Sequence, residues 1–406
     1  MRQRRITFYG NFGTQNFGNE WTLHAIVRNL LERMPDARFQ CLCTTPEDTR
    51  QRHGMPAFRS HAQYPAWLDA EKWGRGRFLV KVVRKLLFRI PVEIWHWAKG
   101  VRIMSRSDML IVPGTQVVSD YNTGPWSWPY DIFMWCLLAK LCRAKVLFVG
   151  VGIGPIYHPV SRWFITSALR MADYRSYRDN FSKSYLESLG FSPNGDRVYP
   201  DLVFSLPERE LLEWKPREEH GGVVGVAVKD YAATGSEEYE DYLERMGRLV
   251  AWLCGCGHTV RVLIGDVLYD TSVWEDFVER LKQKRIGTEG GRIVTERIST
   301  AEDLLKQLCD CDVVISPRLH NLILSVMLSR PVIAFSDHQK LDSLMLELGL
   351  AEWCVPLHNL AVEVVQKKFL ELEANLDGFK ARVAKSAAEC REALQGQYKE
   401  IENLLN

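Results

Sequence analysis

An arginine and a histidine stand two residues apart directly after an apolar stretch. The stretch from Val313 to Ser316 has the composition of a buried strand, and Arg318 and His320 follow it at the predicted start of a helix. Arginine presents a permanent forked cation, and histidine is the side chain that titrates nearest to neutral pH. This pair suits general acid or base catalysis on an anionic substrate. A histidine at a helix start is also often purely structural, so both interpretations stay open.

Two further cations follow predicted strands. Arg178 comes after the strand-like stretch from Tyr174 to Tyr177, and Lys340 follows the strand predicted from Pro331 to Phe335. Ligands of open α/β sheets bind beyond the carboxyl ends of the strands. The two cations are therefore candidates to bind a carboxylate or a phosphate. Arg178 could equally form a surface or capping pair with Asp179.

Glycine-rich turns follow three other predicted strands, at residues 10–20, 112–116 and 149–155. The first turn opens a helix, whose free N–H groups could bind an anion. Its glycine spacing fits neither the dinucleotide-binding fingerprint nor the phosphate-binding loop of nucleoside triphosphatases. Asn19 could instead simply cap the helix, so the turn by itself does not decide between a ligand loop and a helix entry.

The elements that would position these residues alternate between short apolar strands and helices. This alternation predicts largely parallel sheets with helices on both faces. The pattern pauses at residues 207–222, which are rich in charge, proline and glycine and are interpreted as a linker. We therefore predict an α/β protein with two Rossmann-like, doubly wound domains at residues 1–206 and 223–358, followed by C-terminal helices at residues 359–406.

Length and composition narrow the class of protein. With 406 residues, 46% hydrophobic and 25% charged, the chain is a globular protein with a sizeable core. Its ten cysteines are far below the roughly 8–10% typical of disulfide scaffolds, and residues 1–10 lack the apolar core of a secretion signal. We expect a cytoplasmic protein with reduced thiols. Three Cys-x-Cys pairs are spaced too closely for a typical zinc site, so we expect no metal.

Charge is distributed unevenly along the chain. The net charge is +2, but residues 1–206 carry +12 and the remainder carries −10. Residues 75–106 combine nine basic residues and one acid with interleaved aromatic and aliphatic residues. This segment is a candidate for peripheral contact with an anionic membrane, and equally for a helix that packs its apolar side into the first domain. We expect no nucleic-acid partner.

The motifs together resemble the polysaccharide pyruvyl transferase family over nearly the whole chain. The motifs that carry the resemblance are Asn16-Phe17-Gly18-Asn19-Glu20, Val149 to Pro155, Tyr177-Arg178-Asp179 with Ser182, Pro200 to Phe204, and Ile315 to Leu350. The last block, with Arg318-Leu319-His320, Arg330 to Ala334, Lys340 and Leu348-Gly349-Leu350, is the most specific. The resemblance implies a fold like that of GT-B glycosyltransferases, with the donor bound largely by the second domain.

The resemblance also implies an activity and a set of roles. A pyruvyl group would move from phosphoenolpyruvate to a sugar of a cell-surface polysaccharide or its lipid-linked precursor, forming a ketal without a cofactor. Arg178, Arg318 and Lys340 would bind the donor, and His320 would be the acid or base, with Arg318 beside it. Such a protein would work in the cytoplasm, with possible contact to the inner face of the membrane.

The acceptor side departs from the family pattern. The usual Asn-x-Gly-Asp is Asn16-Phe17-Gly18-Asn19 here, so an amide replaces a carboxylate. The acceptor-side candidates are Asn16, Asn19, Glu20 and Asp201, of which Glu20 and Asp201 could substitute for the missing carboxylate. Two other functions fit the residues: a GT-B glycosyltransferase that uses a nucleotide sugar, and a non-catalytic family member that binds saccharide.

Overall fold

A computed structural model describes residues 3–64, 87, 89–115, 117–121, 123–212, 222–232, 234–287 and 291–404. Part of the basic segment predicted at 75–106, namely 75–86 and 88, lies outside the described residues, as do Gln116 and most of the predicted linker. The chain divides into two compact units. The first is Met1–Gly13, Met34–Tyr177 and Tyr185–Arg197; the second is Thr14–Arg33, Arg178–Ser184 and Val198–Asn406. The predicted domain boundaries stay a prediction.

The first unit is built on a parallel sheet. Within the described residues this sheet has seven strands, in the order β3-β2-β1-β4-β5-β6-β7. The strands are β1 (Arg5–Gly10), β2 (Arg38–Cys43), β3 (Ala57–Arg59), β4 (Met109–Pro113), β5 (Lys145–Val151), β6 (Tyr174–Tyr177) and β7 (Arg197–Val198). The central strand β4 is buried along its whole length, because helices cover both faces of a doubly wound sheet.

The second unit contains another parallel sheet. Its six strands, counted in the described part of the chain, run in the order β10-β9-β8-β11-β12-β13. They are β8 (Val223–Ala227), β9 (Thr259–Leu263), β10 (Ile293–Val294), β11 (Val313–Ser316), β12 (Val332–Ser336) and β13 (Cys354–Pro356). The reversal of strand order between β8 and β11 places the loops after these strands at one edge, the usual ligand position in such folds.

Helices connect the strands and form the C-terminal region. They are α1 (Phe17–Arg33), α2 (Pro46–His53), α3 (Ile90–Met104), α4 (Trp128–Leu141), α5 (Pro159–Met171), α6 (Asn180–Ser188), α7 (Glu208–Leu212), α8 (Glu237–Gly255), α9 (Val267–Gln283), α10 (Ala301–Cys309), α11 (Leu319–Met327), α12 (Gln339–Glu347), α13 (Val362–Glu373) and α14 (Leu376–Asn403). None of the described helices is both long enough and apolar enough to cross a bilayer. The predicted α/β fold with two doubly wound sheets and a helical C-terminal region is confirmed.

Helix α1 packs in the second unit, where it supports a short 3₁₀ turn, Leu202–Ser205. Asn29 Nδ2 donates hydrogen bonds to the carbonyl oxygens of Ala25 at 2.8 Å and Ser205 at 2.7 Å. The Ser205 hydroxyl lies 2.9 Å from the Tyr398 hydroxyl on α14. Asp201 caps the turn by accepting the N–H of Val203 at 3.0 Å. These bonds fix the position of Asp201.

Candidate active site

A cavity of about 270 Å³ in the second unit is lined by side chains of both charges. Arg178 and Lys340 contribute cations, whereas Asp201 and Glu347 contribute carboxyl groups. The apolar part of the wall consists of Phe204, Leu319, Ile323, Leu344 and Leu348. The cavity therefore has the composition of a small-molecule site, an apolar pocket with a few polar groups that could fix a ligand.

Helix α12 supplies one wall of this cavity. Lys340, Leu344 and Glu347 lie four and three residues apart, which places them on one face of a helix. Lys340 is in the first turn, where the free N–H groups of the helix add positive potential. Glu347 is at the other end of the same face. The sequence analysis named Lys340 but missed Glu347, although the helical spacing was readable from the sequence.

Arg178 is a buried cation between two carboxylates. Its side chain is 9% exposed, and its Nη1 lies 3.4 Å from Asp201 Oδ2. Its Nε lies 3.5 Å from Asp179 Oδ2. Asp179 in turn accepts the N–H of Ser182 at 2.6 Å. Because a buried charge needs partners, these carboxylates hold the guanidinium at the cavity wall.

Lys340 and Glu347 both titrate near neutral pH. Burial, with the nearby cations of Arg178 and Lys229 and against the opposing effect of Asp179, lowers the pKa of Lys340 to about 7. Burial raises the pKa of Glu347 to about 7, and the charges of Asp179 and Asp201 contribute. The Asn180 N–H and the Arg178 cation partly oppose that increase in the pKa of Glu347. Perturbed groups of this kind cluster at functional sites.

His320 lies in the first turn of α11, close to these charges. Its Nε2 atom is buried and has no hydrogen-bond partner among the described residues. Burial lowers the pKa of His320 to about 4; the cations of Arg178 and Arg318 act in the same direction and Asp201 opposes them. The imidazole is therefore neutral near pH 7 when no anion is bound. A dianion bound nearby would raise this pKa.

The first turn of α1 packs directly on His320. A Cβ atom built on Gly18 would lie 1.9 Å from His320 Nδ1, so only glycine fits this position while the ring keeps its place. Asn16 Nδ2 donates a hydrogen bond of 2.7 Å to Asp266 Oδ2, and Asp266 caps α9 through the N–H groups of Leu268 and Tyr269. The Asn-Phe-Gly-Asn motif thus holds one side of the imidazole.

Asn19 and Glu20 are buried in the first turn of α1, with 7% and 2% of their surface exposed. Within the described residues, neither they nor Asn16 line the cavity, whereas Asp201 does. The acceptor role of all four residues stays a prediction, and Asp201 has the best position among them to meet a ligand in the cavity.

Arg318 pairs with Asp270, whereas Arg178 and Lys340 line the cavity. Its Nε donates a hydrogen bond of 2.8 Å to Asp270 Oδ2, and its Nη2 donates to Oδ1 of the same carboxylate. Asp270 is fully buried and also accepts the N–H groups of Asp230 and Asp266, each at 3.1 Å. Arg318 does not line the described cavity. Asp270 was missed by the sequence analysis, although its spacing of four residues from Asp266 on a helix was visible.

The structure thus brings Arg178, Lys340 and Asp201 into one cavity and places His320 within electrostatic reach of it. The charge of Arg318 also lowers the pKa of His320, although the Arg318 guanidinium itself is hydrogen-bonded to Asp270. Among the described residues, no group of three or more His, Cys, Asp or Glu side chains is arranged to hold a metal ion. The arrangement can bind a small anion beside groups that exchange protons.

The fold defines the class of protein as α/β with the GT-B architecture of glycosyltransferases. A glycosyltransferase from Rickettsia africae is similar with a TM-score of 0.58 and 10% identity, over 100% of this chain and 99% of that one. Two UDP-GlcNAc 2-epimerases are similar too, each with a TM-score of 0.54. The one from Methanocaldococcus jannaschii has 12% identity over 89% of this chain and 91% of its own. The Neisseria meningitidis enzyme has 10% identity over 97% of this chain and 100% of its own. These identities show likeness of fold alone.

The sequence matches the polysaccharide pyruvyl transferase family over residues 16–339. The chain therefore belongs to this family, which is a family of transferases that modify polysaccharides. The predicted resemblance is confirmed. A comparison with curated proteins finds no significant match.

Proposed function

We propose that the protein transfers a pyruvyl group from phosphoenolpyruvate to two hydroxyl groups of one sugar, forming a ketal. Family membership supports the reaction class. The observation that carries the donor assignment is the cavity that holds Arg178 and Lys340 together, close to His320. A carboxylate and a phosphate on one small molecule need two cations at short range, and this cavity provides them. We propose no cofactor and no metal.

The donor is bound by Arg178 and Lys340, and Arg318 adds positive potential from the Asp270 side. The fork between Arg318 and Asp270 fixes the guanidinium, so its orientation is set before the donor binds. Asp201 and Asp179 hold Arg178 at the cavity wall before the donor binds. The incoming phosphate or carboxylate then completes the coordination of that guanidinium.

The reaction adds one proton to the methylene carbon and releases phosphate. Protonation of the methylene group makes an oxocarbenium-like carbon, which the first sugar hydroxyl attacks. Phosphate then leaves, and the second hydroxyl attacks and closes the ketal. Of the two hydroxyl protons released, one balances the proton gained by the methyl group and the other balances the charge of the leaving phosphate.

His320 and Glu347 are the proton-exchanging groups proposed for this sequence. Binding of the donor dianion raises the pKa of His320, which makes an imidazolium available as the acid. The Glu347 carboxyl, with its pKa of about 7, retains a proton over part of the neutral range and is a second proton source. After transfer, the neutral imidazole accepts a proton from an attacking hydroxyl.

The acceptor is proposed to be a sugar of a cell-surface polysaccharide or of its lipid-linked precursor. Asp201 is the proposed carboxylate on this side, because it lines the cavity. Asn16, Asn19 and Glu20 are proposed to shape the acceptor site through the start of α1, which packs on His320. A cytoplasmic location and a peripheral membrane contact through residues 75–106 complete the proposal.

The test combines ligand binding with product analysis. We expect phosphoenolpyruvate to raise the melting temperature of the full chain, and mass spectrometry to find a pyruvylated glycan when extracted lipid-linked saccharide is added. In D₂O the ketal methyl group should carry one deuterium, because the methylene carbon gains a solvent-derived proton. Stabilisation by a nucleotide sugar but not by phosphoenolpyruvate would favour glycosyl transfer. A folded parent protein that forms no product would favour a non-catalytic role.

Donor affinity is expected to fall as pH rises through about 7. Below this pH, Lys340 is protonated and Glu347 is neutral; above it, Lys340 is neutral and Glu347 is anionic. The net charge of the cavity thus becomes more negative at both groups as pH rises. The dissociation constant of phosphoenolpyruvate should increase on the order of tenfold to a hundredfold between about pH 6 and about pH 8. Isothermal titration calorimetry across this range measures the effect.

The variants Lys340→Met and Glu347→Gln separate this effect from titration of the ligand itself. Each should flatten the pH profile, because each removes one titrating group, whereas the phosphate of the ligand titrates identically for all variants. A profile that keeps its full slope in both variants would contradict the assignment.

A further inference from the structure

Helix α3 exposes apolar side chains on the face opposite to its buried one. Its buried residues are His96, Gly100, Ile103 and Met104. Ile90, Ile94 and Val101 are exposed and recur at helical spacing, and Trp95 beside them is 68% exposed. A helix packed only against its own domain would present polar residues on its outer face. The outer face of α3 is therefore suited to contact something apolar.

The neighbouring helices continue this apolar surface. Helix α3 packs against α4, and α4 packs against α5. Trp126, just before α4, is 73% exposed and lies 5.6 Å from the Phe164 ring of α5, between ring centroids. Trp163 on α5 is 54% exposed, and Leu141 at the end of α4 is 69% exposed. Contiguous exposed apolar residues of this kind mark interaction sites.

The charge on these three helices is basic. Their basic residues are Lys99, Arg102, Lys140, Arg162 and Arg170. Of these, Lys140 forms an ion pair with Asp173 just after α5. The two acids of these helices have partners or are buried: Glu93 accepts hydrogen bonds from the hydroxyls of Tyr64 and Tyr130, and Asp131 is buried. Burial raises the pKa of Asp131 well above its usual range, so this group adds little negative charge.

We infer that the outer face of α3, α4 and α5, here called the docking face, binds the surface of an anionic lipid bilayer. Tryptophan side chains settle at the level of lipid headgroups, where the ring is apolar and the indole N–H stays hydrated. Basic residues around them are attracted to anionic headgroups. An anionic bilayer provides an apolar interior and negatively charged headgroups together. A protein partner would instead need an apolar surface with acidic residues placed to pair with this face.

A groove of about 580 Å³ opens on the docking face. Its lining includes Ile94, Trp97 and Trp126 together with Arg89. Glu93 lines it too, and its carboxylate is occupied by the hydroxyls of Tyr64 and Tyr130. Such a groove can take a segment of a lipid chain while the arginine contacts a headgroup phosphate. The residues of the docking face lie in the first unit, and none of them lines the donor cavity. The inference deepens the membrane contact proposed above for residues 75–106, and it holds whether or not pyruvyl transfer is the reaction.

The test measures binding of the full chain to vesicles by flotation. Vesicles of phosphatidylcholine alone are compared with vesicles that also contain phosphatidylglycerol. We expect the chain to float with the anionic vesicles only. The triple variant Trp95→Ser, Trp126→Ser, Trp163→Ser should lower vesicle binding by about tenfold or more. Charge reversal by Arg102→Glu with Arg170→Glu should remove the preference for anionic lipid.

A matched control variant also loses three exposed apolar side chains. The variant Tyr269→Ser, Leu346→Ser, Leu370→Ser removes exposed side chains of the second unit and should bind vesicles like the parent protein. Failure of the parent to float with anionic vesicles would overturn the inference, as would equal loss of binding in the control. A parent dimer that the triple tryptophan variant converts to a monomer, with vesicle binding unchanged, would instead assign the face to a second copy of the chain.

Discussion

Replacing His320 by glutamine is expected to lower the turnover rate of ketal formation by roughly a thousandfold. Glutamine keeps a polar side chain of similar reach at the Gly18 contact but cannot carry a catalytic proton. The imidazole is neutral in the empty site, since burial holds its pKa at about 4. A neutral amide in its place should therefore leave the dissociation constant of phosphoenolpyruvate within about threefold of the parent value.

The separation of turnover from donor binding is what makes this variant informative. Turnover is measured by phosphate release in the presence of the acceptor glycan, and donor affinity by calorimetry without it. His358→Gln is the matched control, because His358 is in the same unit and its side chain is 71% exposed. The proposal that His320 is the acid or base is contradicted if His320→Gln keeps full turnover. It is also contradicted if the variant loses donor affinity and turnover by the same factor.

Replacing Arg178 by methionine is expected to weaken phosphoenolpyruvate binding on the order of a hundredfold or more. The guanidinium is the buried cation of the cavity wall, and charge-assisted hydrogen bonds to a phosphate or carboxylate are the strong ones. Its loss also leaves Asp201 without the cation that it faces at 3.4 Å, so the cavity becomes more negative. Calorimetric titration with phosphoenolpyruvate measures the change.

An unpaired buried carboxylate could reduce folding as well as binding, so a second variant is needed. The double variant Arg178→Met with Asp201→Asn removes the unpaired charge and should fold better than the single variant without recovering donor affinity. Arg175→Met is the matched control. Arg175 forks onto Asp196 at 2.8 and 3.0 Å in the first unit, outside the cavity. Donor binding that survives in both Arg178 variants would contradict the donor site.

The two variants test different parts of the site. Removal of Arg178 acts on a permanent charge and appears in the dissociation constant, whereas removal of His320 acts on a proton and appears in turnover. If both variants behave as expected, the cavity is the donor site and the imidazole acts in the chemical step. If phosphoenolpyruvate does not bind the parent protein, the donor assignment fails before either variant is made.

The local elements of this protein were predictable from its sequence. Apolar strands and helical periodicity are properties of neighbouring residues, and they gave the two parallel sheets and the helical C-terminal region. Arg178, Arg318 and Lys340 could be selected as candidates because each follows a strand, and the carboxyl ends of parallel strands share an edge. The family motifs strengthened this selection, and the match over residues 16–339 confirms the family.

Only the tertiary structure decided which of these candidates meet. The contact of Gly18 with His320, the hydrogen bond from Asn16 to Asp266 and the fork of Arg318 onto Asp270 each join separate segments. Such pairings depend on the packing of whole elements, and no local pattern specifies them. Protonation was decided in the same way: the sequence pointed to Lys340 and not to Glu347, and burial with neighbouring charges shifts the pKa of both groups to about 7. The sequence alone thus determined the elements and the candidate residues, while three-dimensional packing determined their partners and their charge.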